Sequence, residues 1–384
     1  MRTHMRSLAI VAVLLLVAVP ALAQPLLECA TDTHIVRKGD YINGITSEVD
    51  EGVWEWEIGS GYTYSNIQGV TADGLLYATV PTSNPNAALA VFSTANLLVG
   101  RYNDDPQARP YAQDVDFLMN VCAFDPADYG VFVVPLLPPG INDNSAYCTL
   151  ATQYYSRVVG DFPSADANAD RYIDVRFSLA GWDVAAQIRA AHRAGFSTYA
   201  NGMVKRILVR RPDWEHVLYG GYDYTEISWG ALVRIIIEMH DAGEVNDIVY
   251  AEALGIADSL IAVQAPDGSW GGSDPQTTAY AVMGLRADPW NWTLPWHQGL
   301  IQGVNFLEAS ATTGLDCGWS YPPEIGEVNS EAIMALSVVH SLPFYDGFES
   351  GDTSAWSSSL GASAPSEHPI GSRVPDRPLV EPIR

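Results

Sequence analysis

The sequence predicts an all-α protein, an (α/α)6 toroid of six helical hairpins. Two observations carry this. Six times, a Gly- or Pro-containing loop leads into a short polar start and then an apolar, small-residue helix. Between these starts lie helices with a single polar face. No stretch alternates convincingly over six residues between turn signals, so no sheet is expected.

The six starts follow in chain order. They run from Gln68 to Leu75, Tyr111 to Leu118, Ala180 to Ala185, Gly220 to Glu226, Asp274 to Tyr280 and Glu327 to Ala332. Their spacing is roughly 40 to 70 residues, room for two helices and their loops per unit. Amphipathic patterns over Ala87 to Tyr102, Ala146 to Val159, Ser197 to Arg210, Tyr250 to Val263 and, more weakly, His297 to Ala309 read as outer helices. Inner helices should be apolar all round because both faces are covered, and Ala231 to Met239 and Ala279 to Leu285 show this best. A lone hairpin cannot bury its inner face. Stacking neighbours buries it, and closing the stack removes the ends that an open solenoid must cap.

The termini differ from the ring. Arg2 and Arg6 precede an apolar run from Leu8 to Val19, then Pro20 and Ala21-Leu22-Ala23. This is the layout of a secretory leader over residues 1–23, too short to span a bilayer comfortably. The expected location is secreted, periplasmic or cell envelope, with no membrane span after cleavage. Residues 24–342 form the toroid. Residues 343–384 are rich in Ser, Gly and Pro and are expected to be a disordered tail. The segment from Phe348 to Trp356 is similar to the opening strand of some extracellular β-sandwich modules, with too little chain after it to complete one.

A formal charge of −25 excludes a generic nucleic-acid binder. It disfavours polyanionic substrates unless a local basic patch intervenes. Four cysteines, Cys29, Cys122, Cys148 and Cys317, allow three disulfide connectivities. Cys122 and Cys148 flank a proline-rich loop and are the favoured pair. There is no C-x-x-C, and the histidines show no metal-ligand spacing, so neither metal nor cofactor is expected. The stretch Asp166 to Asp170 is similar to the start of a calcium loop. Arg171 and Phe177 stand where such a loop needs Gly and Glu, so it reads as a connection between helices. Asn291-Trp292-Thr293 matches a glycosylation acceptor.

One segment is more specific. Gln264-Ala-Pro-Asp-Gly-Ser-Trp270-Gly-Gly, followed by Thr277 to Leu285, resembles the Gln-Trp repeat of the terpenoid cyclase and protein prenyltransferase superfamily. A degenerate copy runs from Gly314 to Ser320. The resemblance implies an (α/α)6 barrel. It does not extend to chemistry, because the Asp-x-Asp-Asp acid, the zinc-ligand spacing and the thioester motif of related toroids are all missing.

In such a ring the inner-helix N-termini meet at one mouth. Asp183 and Asp223 begin adjacent inner helices, whose axes lie roughly 8–10 Å apart. That is near the carboxyl separation of an inverting glycosidase, about 6.5–9.5 Å. They are the candidate catalytic pair. Trp182, Tyr222, Tyr224, Asp114, Asp116, Gln276, Tyr280 and Glu331 are the candidate ligand-binding residues. Carboxylates beside aromatic platforms describe a saccharide site. An Asp at a helix start also caps the helix, worth about 1 kcal/mol, so each carries that simpler reading too. The expected function is an exported toroid binding a saccharide or other small ligand in a central acidic and aromatic mouth. The alternatives are a secreted hydrolase or lyase using paired carboxylates, and a terpenoid cyclase-like enzyme.

Overall fold

In a computed structural model the described residues are 25–37, 54–55, 67–104, 112–123, 180–219, 221–288, 294–313, 316–319 and 326–340. The predicted leader, the 343–384 tail, the helix predicted over Ala146 to Val159, the calcium-like loop and Asn291 lie outside them. So do the side chains of Asp183 and His340.

The described chain is an α/α toroid. Residues 25–37 are helical (α1). Then follow α2 (Gln68–Thr82), α3 (Pro85–Asp104), α4 (Ala112–Ala123), α5 (Ala180–Arg193), α6 (Ser197–Val209) and the single turn α7 (Arg211–Trp214). A hairpin of two short strands, β1 (Leu218–Tyr219) and β2 (Tyr222–Asp223), precedes α8 (Thr225–Asp241). The rest is α9 (Asp247–Val263), α10 (Pro275–Arg286), α11 (Leu294–Ser310) and α12 (Gly326–His340). The six inner helices are α2, α4, α5, α8, α10 and α12. Each packs on the next, and α12 packs on α2, so the ring is closed. Helices α3, α6, α9 and α11 lie outside α2, α5, α8 and α10.

All six polar starts open an inner helix. The capping chemistry is local: Asp274 accepts the Gln276 and Thr277 N–H groups at the head of α10, with Pro275 in its first turn. Two elements depart from expectation. Helix α1 carries none of the start signals used to find the others. The β1–β2 hairpin is a sheet where none was expected, too short to show alternation; it turns through Gly221, whose φ of +94° favours glycine.

Buried tryptophans close the corners. Trp54, Trp214, Trp270 and Trp319 sit in the segments between an outer and the next inner helix, and all are buried. Each donates its indole N–H to a carbonyl near the C-terminus of the preceding outer helix: His34 (3.2 Å), Ile207 (3.0 Å), Leu260 (2.8 Å) and Leu307 (2.7 Å). Helix carbonyls near a C-terminus run short of main-chain donors, so the indole both fills the corner and supplies one; the Leu307 carbonyl also accepts from the Ser310 hydroxyl (3.3 Å). The main chain of two corners is gripped by an inner-helix amide. The Gln68 amide takes the N–H and C=O of Trp54 at 2.9 and 3.0 Å, and the Asn329 amide takes those of Trp319 at 2.8 and 3.1 Å.

Covalent and close-packed contacts tie the ends. Cys29 in α1 is bonded to Cys317, 288 residues later, just before α12. Of the three connectivities, this bond belongs to the one that contains the favoured Cys122–Cys148 pair. Cys122 is also disulfide-bonded, and Cys148 lies outside the described residues. At the α2–α12 seam the Ser330 hydroxyl donates to the Val70 carbonyl (2.6 Å) and accepts the Gly74 N–H (2.9 Å). It is thus inserted into the 70–74 rung of α2. A Cβ on Gly74 would stand 2.2 Å from the Ser330 carbonyl oxygen. Backbone cannot yield as a side-chain tip can, so Gly74→Ala is expected to cost about 3 kcal/mol or more in urea unfolding. Ser330→Ala lets the rung reclose and should cost about 1 kcal/mol.

Candidate functional site

The inner-helix N-termini converge, and a cavity of about 520 Å³, open solvent at its mouth included, lies between them. Its lip is aromatic. Trp182 in the first turn of α5 donates its indole N–H to the Tyr280 hydroxyl of α10 at 2.6 Å. The two rings meet edge to face at 6.2 Å, and Trp182 lies nearly parallel to Tyr224 at 6.3 Å. Tyr222 is 6.3 Å from Tyr224. Alternation along β2 places Tyr222 and Tyr224 on one side and Asp223 on the other.

Asp223 therefore serves the backbone. One carboxylate oxygen accepts the Thr225 N–H (2.9 Å) at the head of α8, and the other meets the His216 ring (3.2 Å). Those hydrogen bonds outweigh its slight burial and hold its pKa below the ordinary carboxylate value. Its presumed partner Asp183 lies in the first turn of α5, its side chain outside the described residues. Asp114 is fully buried and accepts the Gly69 N–H at 2.9 Å, joining α4 to α2.

Behind the half-buried Gln276 and Tyr280 stands one fully buried carboxyl, the third of the predicted ligand-binding residues there. Glu331 is fully buried on α12, one turn from the buried Glu327. Burial first, and then the Glu327 charge, push its pKa well above the usual range, against the hydroxyl of Tyr280 and the amide of Gln276 that oppose the rise. Burial and the same two glutamates raise the Tyr280 pKa. Trp182 leans on the Tyr280 hydroxyl, and the buried Glu331 carboxyl, neither of whose oxygens makes a well-formed hydrogen bond among the described residues, lies behind it.

Deeper in the cavity stand charges of both signs. Asp116 of α4 pairs with Arg189 of α5, the guanidinium Nε reaching its two oxygens at 2.8 and 2.9 Å. Asp73 of α2 receives the Asn120 amide on both oxygens at 2.8 Å. Burial, and next the neighbouring Asp116 charge, raise the Asp73 pKa to about 6. Below it Arg234 of α8 reaches the Tyr77 hydroxyl of α2 at 2.7 Å and lies over that ring, 5.1 Å from its centroid. Helices α2 and α8 stand opposite each other in the ring, so this contact crosses the lumen and floors it. Arg234 also touches the sulfurs of Met283 and Met334, and Arg193 pairs with Glu238 at 3.1 Å.

The sequence places Asp73 among the polar residues that converge at the mouth, without a role in the site, and singles out neither Arg189 nor Arg234. Their signal was nonetheless present: each is a charge inside an inner helix whose neighbours are apolar, and in a closed ring only the lumen can take it. Among the described residues no group of three His, Cys, Asp or Glu is placed to hold a metal, and no described helix is long and apolar enough to cross a membrane.

No family model matches the chain, and no curated protein matches it. A similar solved structure is described as a possible member of GH105 family from Salmonella enterica serovar Paratyphi A. It is 11% identical, covers 81% of this chain and 93% of its own, with a TM-score of 0.49. The resemblance to terpenoid cyclases and protein prenyltransferases does not hold, since no family model of that kind matches. The physical reason is local. Gln264 donates to the carbonyls of Gly268 and Gly299, both at 2.9 Å, and Trp270 fills the corner. That is a way of ending one helix and starting another, and Trp54 and Trp214 do much the same without that repeat.

The cavity makes a testable demand on stability. Asp73 has a folded-state pKa near 6 against an unfolded value of 3.8. The unfolded chain therefore releases this proton first. The neutral carboxyl is tolerated fully below pH 4, and stability falls as pH rises from 4 through 6. The loss is of the order of 3 kcal/mol. Asp73→Asn keeps an acceptor for Asn120 and removes the titration. Urea unfolding at pH 8 should find it more stable than the wild type, and at pH 4 nearly equal.

Proposed function

We propose that this protein is an exported carbohydrate-active enzyme, a glycoside hydrolase or polysaccharide lyase, working in the central cavity. The observation that carries the reading is the pair of buried carboxylates, Asp73 and Asp116, under an aromatic lip. Their surroundings differ: Asp116 is ion-paired with Arg189, while burial and the neighbouring Asp116 charge raise the Asp73 pKa to about 6. A carboxyl that keeps its proton at mildly acid pH, beside a second carboxyl held by a guanidinium, suits acid–base work on a glycosidic bond. Asp73, protonated at mildly acid pH, is the donor to a departing sugar oxygen. Asp116 supplies negative charge beside a reacting carbon that becomes cationic. The flat apolar face of a sugar ring fits against Trp182 and Tyr280, leaving its hydroxyls to the polar groups below. The 1–23 leader and the Cys29–Cys317 disulfide support export, since disulfides persist in oxidising compartments.

The Asp183 and Asp223 pair is the second carboxylate set within the same reading. Substitution separates the two. With purified protein and a panel of plant, algal and bacterial polysaccharides, Asp73→Asn should lower kcat at least about 100-fold. It should do so without unfolding the protein. The wild-type rate should fall as pH rises through about 6, the basic limb set by Asp73. Asp223→Asn should lower the melting temperature by a few degrees and keep most of the activity. A reversal, with Asp183→Asn and Asp223→Asn inactive and Asp73→Asn active, moves the chemistry to the mouth. Glycan binding with no turnover at any pH leaves a binding protein.

A further inference from the structure

The aromatic groups do not stop at the cavity. Tyr280, Trp182, Tyr224 and Tyr222 form an unbroken series, with successive ring centroids 6.2, 6.3 and 6.3 Å apart. The first three are half-buried at the lip, whereas Tyr222 on β2 is 69% exposed. The series therefore leads from the cavity out into solvent, each step on the scale of one pyranose ring. An exposed tyrosine costs nothing in a loop, but four aromatic side chains in sequence are hard to assign to packing when the outermost is mostly open to water.

The opposite end of the cavity is shut. The Arg234–Tyr77 contact spans the ring from α8 to α2, and Met283 of α10 and Met334 of α12 close on the same guanidinium. A polymer cannot pass through such a lumen. Only a chain end can enter, and the rest of the chain has to leave by the mouth it came in by.

Resting on the saccharide reading above, we infer that the site takes the terminus of a glycan chain of three or more units, its last unit in the cavity and the following ones along Tyr224 and Tyr222. The hairpin is then a substrate-binding element, and action proceeds from the end of the chain. The substrate class is an extended oligosaccharide or polysaccharide end, in preference to a free monosaccharide or a chain interior. An aromatic face suits this because its contact with the C–H face of a sugar is apolar and tolerates sliding, as stepwise removal of end units demands.

The test uses the full-length mature protein and calorimetry with oligosaccharides of one to six units prepared from cellulose, xylan, mannan, starch and homogalacturonan. With whichever series binds, affinity should climb roughly 3- to 10-fold per unit up to three or four units and then level off, each step the size of one aromatic contact. Tyr222→Ala should remove the gain of the outermost unit and leave the single-unit affinity unchanged. Being exposed, that position should tolerate alanine without loss of fold, which circular dichroism checks. The intact polymer, compared at equal sugar mass, should compete in proportion to its few ends. A single unit binding as tightly as the hexamer, or Tyr222→Ala leaving the hexamer unaffected, overturns the chain-end inference while the saccharide reading stands. So does a polymer competing as well as its hexamer at equal mass. Failure of every series at every length overturns both.

Discussion

Everything that makes this protein more than a row of hairpins depends on one seam. The first and last inner helices, α2 and α12, are about as far apart in sequence as the ring allows, and they meet through Ser330 and Gly74. Without that meeting the inner helices would line a groove. With it they enclose a lumen, and Asp73, on the same helix as Gly74, is carried to its centre. The seam works because Gly74 has no side chain and the Ser330 hydroxyl can replace a backbone rung without leaving either of its partners unsatisfied. The Cys29–Cys317 bond acts on the same problem from outside, fastening α1 beside the corner that leads into α12. Its contribution comes mainly through the unfolded chain, whose freedom a long crosslinked loop restricts strongly.

Closure also explains the placement of charge. An inner helix has neighbours on both flanks and an outer helix behind, so its lumen-facing strip is the one place where a polar side chain escapes apolar packing. The chemistry of that strip changes with depth. At the lip are aromatic rings and a carboxyl whose pKa burial raises, Glu331. In the middle are two carboxyl groups, Asp73 and Asp116, the first with its pKa raised to about 6. At the floor are guanidinium groups bound to carboxylates, a phenol and thioethers. Buried charges left alone would be costly. Here most are paired, and the one whose pKa moves into the mildly acid range, Asp73, sits beneath the opening rather than at the floor. That is an expensive place for a carboxyl serving stability alone.

The ring itself was legible in the sequence because its signals are local. A Gly or Pro followed by a polar cap and a small-residue helix states where an inner helix begins, and six such statements imply six hairpins. Helix α1 was not legible, since Leu26, Leu27 and Ala30 bury themselves without any cap or glycine to announce them. The aromatic lip could be read because Trp182 and Tyr224 each sit beside a helix start. Its true depth could not. The sequence shows an aspartate at 73 and arginines at 189 and 234, but only the register of whole helices reveals that they face one another. Asp223 shows the opposite limit. Its neighbours Tyr222 and Tyr224 marked it as part of a site, yet strand alternation turns it away from them and toward the backbone of α8.

The tryptophan corners bear on why a familiar-looking segment misleads. Every outer helix ends with carbonyls that need donors, and every link back to the ring passes such an end. Trp offers a single N–H on a large apolar body, so it fits this place on physical grounds alone. Glycines near it let the chain turn, and a side-chain amide from the next helix fixes the corner's backbone. A Gln-Trp segment is one solution to folding helices back on each other in this way, and it reports the turn. What distinguishes one toroid from another is carried where helices need nothing from their neighbours: on the lumen strip, and on the hairpin that stands at its mouth.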